Sequence, residues 1–295
     1  VNIEQFEKIR LGKGFIAALD QSGGSTPGAL ARYGVGEDAY HDDDEMFVRM
    51  HEMRARIMAD PSFNGDRILG AILFEDTLER EVEGKPTAEY LWGVKHVVPF
   101  LKIDRGLEPE ANGARCMKPI PGLDKTLDKA RAKGVCGTKA RSFIRLADSS
   151  GIDAVLDQQF EIGRQVAQAG LIPILEPEVD IESPEKGSAE VLLRDGIARR
   201  LAELEHDEWV MLKLSIPDQD DFYLPLIEHP NVLRVVALSG GYTRAEATER
   251  LARNHGMIAS FSRALTEGLH VDQSPEEFTA TLDQAIREIF EASLT

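Results

Sequence analysis

The chain has 295 residues, 42% hydrophobic and 29% charged, an ordinary balance for a folded globular protein. With 34 basic against 51 acidic side chains the formal charge is −17, and no basic stripe offsets it, which argues against nucleic acid or an anionic membrane as partner. No apolar run approaches the ~18 residues of a membrane span, and the seven histidines never take HxH, HxxxH or HExxH spacing, which disfavours a histidine-built metal centre.

The first segment, VNIEQFEKIR, is polar and amphipathic and reads as a helical extension rather than a secretory signal. Only two cysteines occur, Cys116 and Cys136, in no CxxC pair, so reduced thiols and a cytoplasmic protein are expected. Eight short apolar runs rich in β-branched residues then follow: GFIAALDQ (14–21), ILGAILFE (68–75), VVPFLKID (97–104), GVCGTKAR (134–141), LIPILEPE (171–178), WVMLKLSI (209–216), VLRVVALSGG (232–241) and MIASFSRAL (257–265). Most intervals between them carry helical patterns. HDDDE at 41–45 opens one, with Phe47, Met50, Met53 and Ile57 as its stripe and acids at its positive end. The segment 153–169 carries Val155, Leu156, Phe160, Ile162 and Val166 and stops at Gly170, a natural C-cap. Thr243 and Glu246 form one capping box. Ser274-Pro275-Glu276-Glu277 forms another, ahead of Phe278, Leu282, Ile286, Ile289 and Phe290.

Alternating strands and helices imply a parallel sheet, and eight strands suggest closure into one α/β domain over 1–295, a (β/α)8 TIM barrel. An open doubly wound sheet is the alternative, but DQSGGS lacks the GxGxxG spacing of its nucleotide-binding turn, and LGKGF does not match a P-loop. Polar residues gather where the runs end: Asp20, Glu75, Lys102 with Asp104, Lys139 with Arg141, Glu176 with Glu178, Lys213, Ser239, and Arg263 in the eighth. In a barrel these ends converge on one mouth, where active sites are built. Spacing by two places each of the three pairs on a common face.

Lys213 is the least expected of them. Val210, Leu212, Leu214 and Ile216 share one face of its strand, while Met211, Lys213 and Ser215 share the other. Taken alone it reads as an ammonium snorkelling from a strand end. Among other lysines and carboxylates it reads equally as a nucleophilic amine or as one member of a self-neutralising network. Ser239, Gly240 and Gly241 precede a helix start, with Arg263 nearby, and Ser22 and Ser25 lie in a second small-residue loop. Two such loops around a cationic mouth suggest a substrate with a phosphate at each end.

With these residues assembled, the chain resembles the class I fructose-bisphosphate aldolases in their shorter bacterial form, from about residue 12 to 265. GKGFIAALDQSGGS looks like the family's first strand, which implies Asp20 as the catalytic aspartate and Ser22 and Ser25 as contacts to the distal phosphate. FLKID implies a substrate or distal-phosphate contact at Lys102, and TKARS an active-site lysine at Lys139 and a cleft arginine at Arg141. PILEPE implies Glu176 as general acid–base with Glu178 in support, and MLKLSIP implies Lys213 as the Schiff-base lysine. LSGG and SFSRAL imply the other phosphate site at Ser239, Gly240, Gly241, Ser260 and Arg263.

The implied activity is metal-independent, cofactor-free, reversible cleavage of fructose 1,6-bisphosphate in glycolysis and gluconeogenesis. Sugar phosphates are then the partners, with room for a homo-oligomer, and Lys139 and burial would keep Lys213 partly neutral. Two departures stand out. Animal enzymes use a C-terminal tyrosine for proton exchange on the enamine, whereas the last tyrosine here is Tyr242, so another group or a water is expected to serve. Gln21 stands where those enzymes have glutamate. Rival readings are a class I aldolase for another ketose such as tagatose 1,6-bisphosphate, a metal-dependent lyase, and a non-catalytic sugar-phosphate-binding or adhesion protein.

Overall fold

In the computed structural model, which describes residues 2–295, eight parallel strands pair in the order of the chain. They are β1 Phe15–Leu19, β2 Ile68–Leu73, β3 Val98–Lys102, β4 Gly137–Ile144, β5 Ile172–Val179, β6 Val210–Ser215, β7 Val232–Leu238 and β8 Ile258–Ala259. Parallel neighbours joined by helical crossovers make a (β/α)8 TIM barrel. Among the described residues the ring closes through a single backbone bond, from Ala18 N–H to the Phe261 carbonyl at 3.2 Å, and β8 forms no ladder with β1.

Side-chain alternation sorts the strands into two cores. On β6, Val210, Leu212 and Leu214 pack outward against the helical layer, while Met211 joins Ile16, Leu69, Phe100, Ile174, Val236 and Ile258 in the lumen. Lys213, two residues beyond Met211, therefore enters the lumen as well. At 4% exposure it is buried at the cavity floor instead of extending along its stem into bulk solvent, contrary to the snorkelling reading.

The N-terminal helix Ile3–Leu11 fixes which end of the barrel is open. Asn2 caps it by accepting from the Glu4 and Gln5 amides. Its Ile9 joins the luminal core, Phe6 meets Trp209 edge-on at 5.7 Å, and Arg234 donates to the Ile9 and Gly12 carbonyls at 2.8 and 2.7 Å. The helix thus plugs the end where β6 and β7 begin and leaves the other end free for chemistry.

The helices expected from capping are present. Asp43–Ala59 is capped by Asp42, Ser149–Gln168 ends ahead of Gly170 at φ 78°, and Arg244–Leu251 and Pro275–Ala292 both carry their capping boxes. Strand limits shift from the apolar runs, most tellingly at β4 and β8. β4 continues to Ile144, so Arg141 lies within it, where the antiparallel pair Ala114–Arg115 also adds to its edge. β8 stops at Ala259, and Arg263 opens a short helix, Arg263–Thr266, instead of closing a strand. The buried residues Phe261, Ala264 and Leu265 explain the change, because their spacing of three and four is helical rather than alternating. Among the described residues no helix is long and apolar enough to cross a membrane.

Candidate active site

The free ends of the strands surround a cavity of about 620 Å³. Ile174 of β5 is level with Met211 of β6, so Glu176 and Lys213, each two residues further on, stand side by side above the luminal core. Lys213 Nζ lies 3.1 Å from Glu176 Oε1. Lys139 Nζ lies 2.8 Å from Glu176 Oε2 and 2.8 Å from Asp20 Oδ2, with Asp104 Oδ2 further off at 3.9 Å. Glu176 thus bridges the two lysines.

All of these groups are buried, and the lysines outweigh that burial. Desolvation opposes ionisation of Asp20, yet Lys139, Lys213 and Lys102 hold its carboxyl well below the usual carboxylate range. Glu176 is lowered for the same reason: Lys139 and Lys213 overcome burial and the nearby Asp20. Burial disfavours the charged form of Lys139, but Asp20, Glu176 and Asp104 more than reverse this and raise it above the ordinary lysine value.

Two further pairs flank this centre. Lys102 Nζ donates to Asp104 Oδ1 at 2.7 Å and to the Asp104 carbonyl at 3.0 Å, and the Arg141 amide donates to Asp104 Oδ2 at 3.1 Å. Arg141 Nε donates to Glu178 Oε2. On the rim, Gly240 has φ 61° and Gly241 φ 139°, and a Cβ on Gly240 would lie 2.7 Å from Ile181. That turn therefore requires glycine. Arg263 comes within 3.6 Å of where a Gly241 Cβ would be, and the Ser260 hydroxyl is buried without a partner. Opposite, the Ser25 hydroxyl donates to the Ser22 carbonyl at 3.0 Å and accepts from the Ser22 amide at 3.1 Å, tightening the turn ahead of helix Thr26–Tyr33.

The fructose-bisphosphate aldolase class-I family matches residues 7–188. Over 294 residues the chain is 59% identical to fructose-bisphosphate aldolase class 1 of Synechocystis sp., covering 100% of this chain and 98% of that one. It is 55% identical over 295 residues to the protein of the same name from Clostridium acetobutylicum, with both chains fully covered. The chain belongs to the class I fructose-bisphosphate aldolases. Its fold matches the Plasmodium falciparum fructose-bisphosphate aldolase, crystallised with TRAP and a small-molecule inhibitor, at a TM-score of 0.71 and 19% identity over 99% of this chain and 93% of that one.

Every site residue inferred from sequence lines the cavity except Gly241, which adjoins it through Arg263. Glu75, another acid at a strand end, instead opens helix Glu75–Glu79 and pairs with Arg105 at 2.7 Å. Two cationic cavity residues of this aldolase-family chain escaped the strand-end pattern, Arg32 and Arg115. Arg32 lies in helix Thr26–Tyr33 and folds back, its Nη1 being 3.5 Å from where a Cβ on Gly28 would stand. The i, i+4 spacing of Gly28 and Arg32 is the only signal the sequence offers. Arg115 is held by a bond from Nε to the Glu108 carbonyl at 2.8 Å. Among the described residues neither arginine has an ion-pair partner, whereas Lys102 is engaged by Asp104.

Proposed function

We propose that the chain, folded as one barrel domain, is a Schiff-base aldolase that reversibly cleaves fructose 1,6-bisphosphate to dihydroxyacetone phosphate and glyceraldehyde 3-phosphate. One observation carries the reading: Glu176 touches Lys213 with one oxygen and Lys139 with the other, at the floor of a cavity rimmed by two anion-suited loops. The names of the Synechocystis and Clostridium relatives support the substrate. Two free cysteines suit a reducing, cytoplasmic setting.

Lys213 Nζ attacks the C2 ketone, and loss of water leaves an iminium ion. Glu176 then takes the C4 hydroxyl proton. As C3–C4 breaks, the C4 oxygen becomes the aldehyde of the departing glyceraldehyde 3-phosphate, and the bonding pair flows into the iminium to give an enamine. Protonation of the enamine at C3 and hydrolysis release dihydroxyacetone phosphate and the free amine. Lys139 stays protonated throughout, keeping Glu176 and Asp20 ionised as base and as orienting partner of the C4 hydroxyl. Ser239, the Gly240–Gly241 turn, Ser260 and Arg263 hold the phosphate next to the ketone. Ser22 and Ser25 hold the distal one together with Arg32 and Arg115, which replace Lys102 as its cations. Binding energy from both phosphates positions the reacting carbon.

The test is to incubate the protein with dihydroxyacetone phosphate, reduce with borohydride and map the modified peptide. A covalent adduct on Lys213 supports the reading. No adduct, or an adduct on another lysine, sinks it.

A further inference from the structure

The barrel ring is weakest between β8 and β1, where one backbone bond replaces a ladder. The loops that leave these two strands carry Asp20, Ser22 and Ser25 on one side and Ser260 and Arg263 on the other. A side-chain relay spans the gap between them. Gln21 Nε2 donates to Ser262 Oγ at 2.6 Å. Behind Gln21, Arg54 of helix Asp43–Ala59 has no exposed surface; its Nη2 donates to the Gln21 carbonyl and, at 3.3 Å, to Gln21 Oε1, while Nη1 donates to Thr77 Oγ1 at 2.7 Å.

The orientation of Gln21 follows from chemistry. A guanidinium has only donors, so the amide oxygen must face Arg54 and the amide nitrogen must face Ser262. Among the described residues Arg54 has no carboxylate at ion-pair distance, and its Nε has no partner. Burying a cation this way is unfavourable, and the hydrogen bonds that offset it converge on the Gln21 turn and on Thr77.

We propose that Gln21, held by Arg54, is a positioning residue that fixes the span between the two anion-holding loops and so favours sugar bisphosphates over sugar monophosphates. The proposal rests on the aldolase reading above. Gln21 directly follows Asp20 and Ser262 directly precedes Arg263, so the relay joins the roots of both loops. A bisphosphate engages the two loops at once and depends on their separation. A monophosphate engages one loop and does not. Loosening the span therefore penalises the two-ended ligand alone.

The experiment compares Gln21→Met, Ser262→Ala and the double variant in kcat/KM for fructose 1,6-bisphosphate and fructose 1-phosphate, with melting temperature and borohydride trapping of dihydroxyacetone phosphate alongside. Each single change is expected to lower the bisphosphate value about tenfold, mainly through KM, with the monophosphate value within about twofold of wild type. The double variant is expected to be no worse than either single, because both remove the same bond. Equal losses on both substrates, or single losses that multiply in the double variant, overturn the proposal. If dihydroxyacetone phosphate forms no Lys213 adduct even with the wild-type protein, the aldolase reading itself falls, and the proposal with it.

Discussion

Two buried lysine–glutamate clusters lie on neighbouring parts of this barrel, and only one faces the cavity. In the outer cluster, Lys186 follows the β5 strand and Asp218 follows β6. Lys186 Nζ donates to Glu190 Oε1 at 2.5 Å, the Ile216 carbonyl at 2.9 Å and Asp218 Oδ1 at 2.9 Å, so all three ammonium protons have acceptors. Glu190 Oε2 in turn accepts from the Asp218 amide at 3.1 Å. In the cavity, Lys213 Nζ has one carboxylate oxygen at ion-pair distance among the described residues, Glu176 Oε1 at 3.1 Å. Burial is common to the two, with Lys186 and Lys213 each 4% exposed. Desolvation therefore does not separate the structural pair from the pair proposed to react. Unspent hydrogen-bonding capacity beside a cavity does.

That contrast breaks most decisively at the amine. Lys213→Met is expected to lower turnover by at least about 10³-fold, while the melting temperature stays level or rises, because a buried charge is removed and Glu176 keeps Lys139. Activity assays paired with thermal melts check this, and a variant that turns over within tenfold of wild type would end the covalent reading. Lys186→Met should show the reverse. Removing one partner of a saturated buried pair costs about 3–5 kcal/mol, measured by urea unfolding, with kcat close to wild type wherever the variant remains folded. Lost turnover at unchanged stability in Lys186→Met would erase the distinction between the clusters.

A smaller effect is expected at the distal end of the cavity. Arg115→Ala removes a cation that has no ion-pair partner among the described residues and one bond to the Glu108 carbonyl, so folding loses little. A charge-assisted bond to phosphate is worth about 1.5–3 kcal/mol. The variant should therefore lose roughly tenfold or more in kcat/KM for fructose 1,6-bisphosphate and nothing for fructose 1-phosphate. Lys102→Met gives the sharper comparison: if it, rather than Arg115→Ala, spoils the distal phosphate selectively, the Asp104 pair does not neutralise Lys102 as its geometry implies.

The residues of the cavity centre were legible because a barrel converts strand order into proximity. Asp20, Lys139, Glu176 and Lys213 each sit at or near the end of an apolar run, and period-two parity tells which of them point inward. Helix limits were legible where side chains cap them, as at Asp42, Thr243 and Ser274. Arg32 and Arg115 were not, because neither lies at a strand end: one reaches the cavity by folding back along a helix, the other from a two-residue strand whose pairing is set by tertiary contact. Spacing by two put Lys102 and Asp104 on one face, and the structure joins them directly, Nζ to Oδ1 at 2.7 Å. Arg263 lines the cavity, although the strand assigned to it ends at Ala259.

The smallest expected effect separates the two glutamates by sign. Burial pushes the Glu190 carboxyl up, and Lys186 only partly relieves it; in Glu176 burial pushes the same way, but Lys139 and Lys213 together win and the carboxyl is lowered. A carboxyl lowered by folding stabilises the native state when ionised. Its contribution is present above the ordinary glutamate value and fades as pH falls through the depressed one. A carboxyl raised by folding binds its proton more tightly in the native state, so its contribution fades as pH rises from the ordinary value through the raised one. Urea unfolding across the acid range should show the advantage of wild type over Glu176→Gln shrinking toward low pH, and its advantage over Glu190→Gln shrinking as pH increases. Each slope is limited to one proton, about 1.4 kcal/mol per pH unit. Slopes of the same sign would mean that the second lysine, which distinguishes the cavity cluster from its saturated neighbour, does not govern the charge of Glu176.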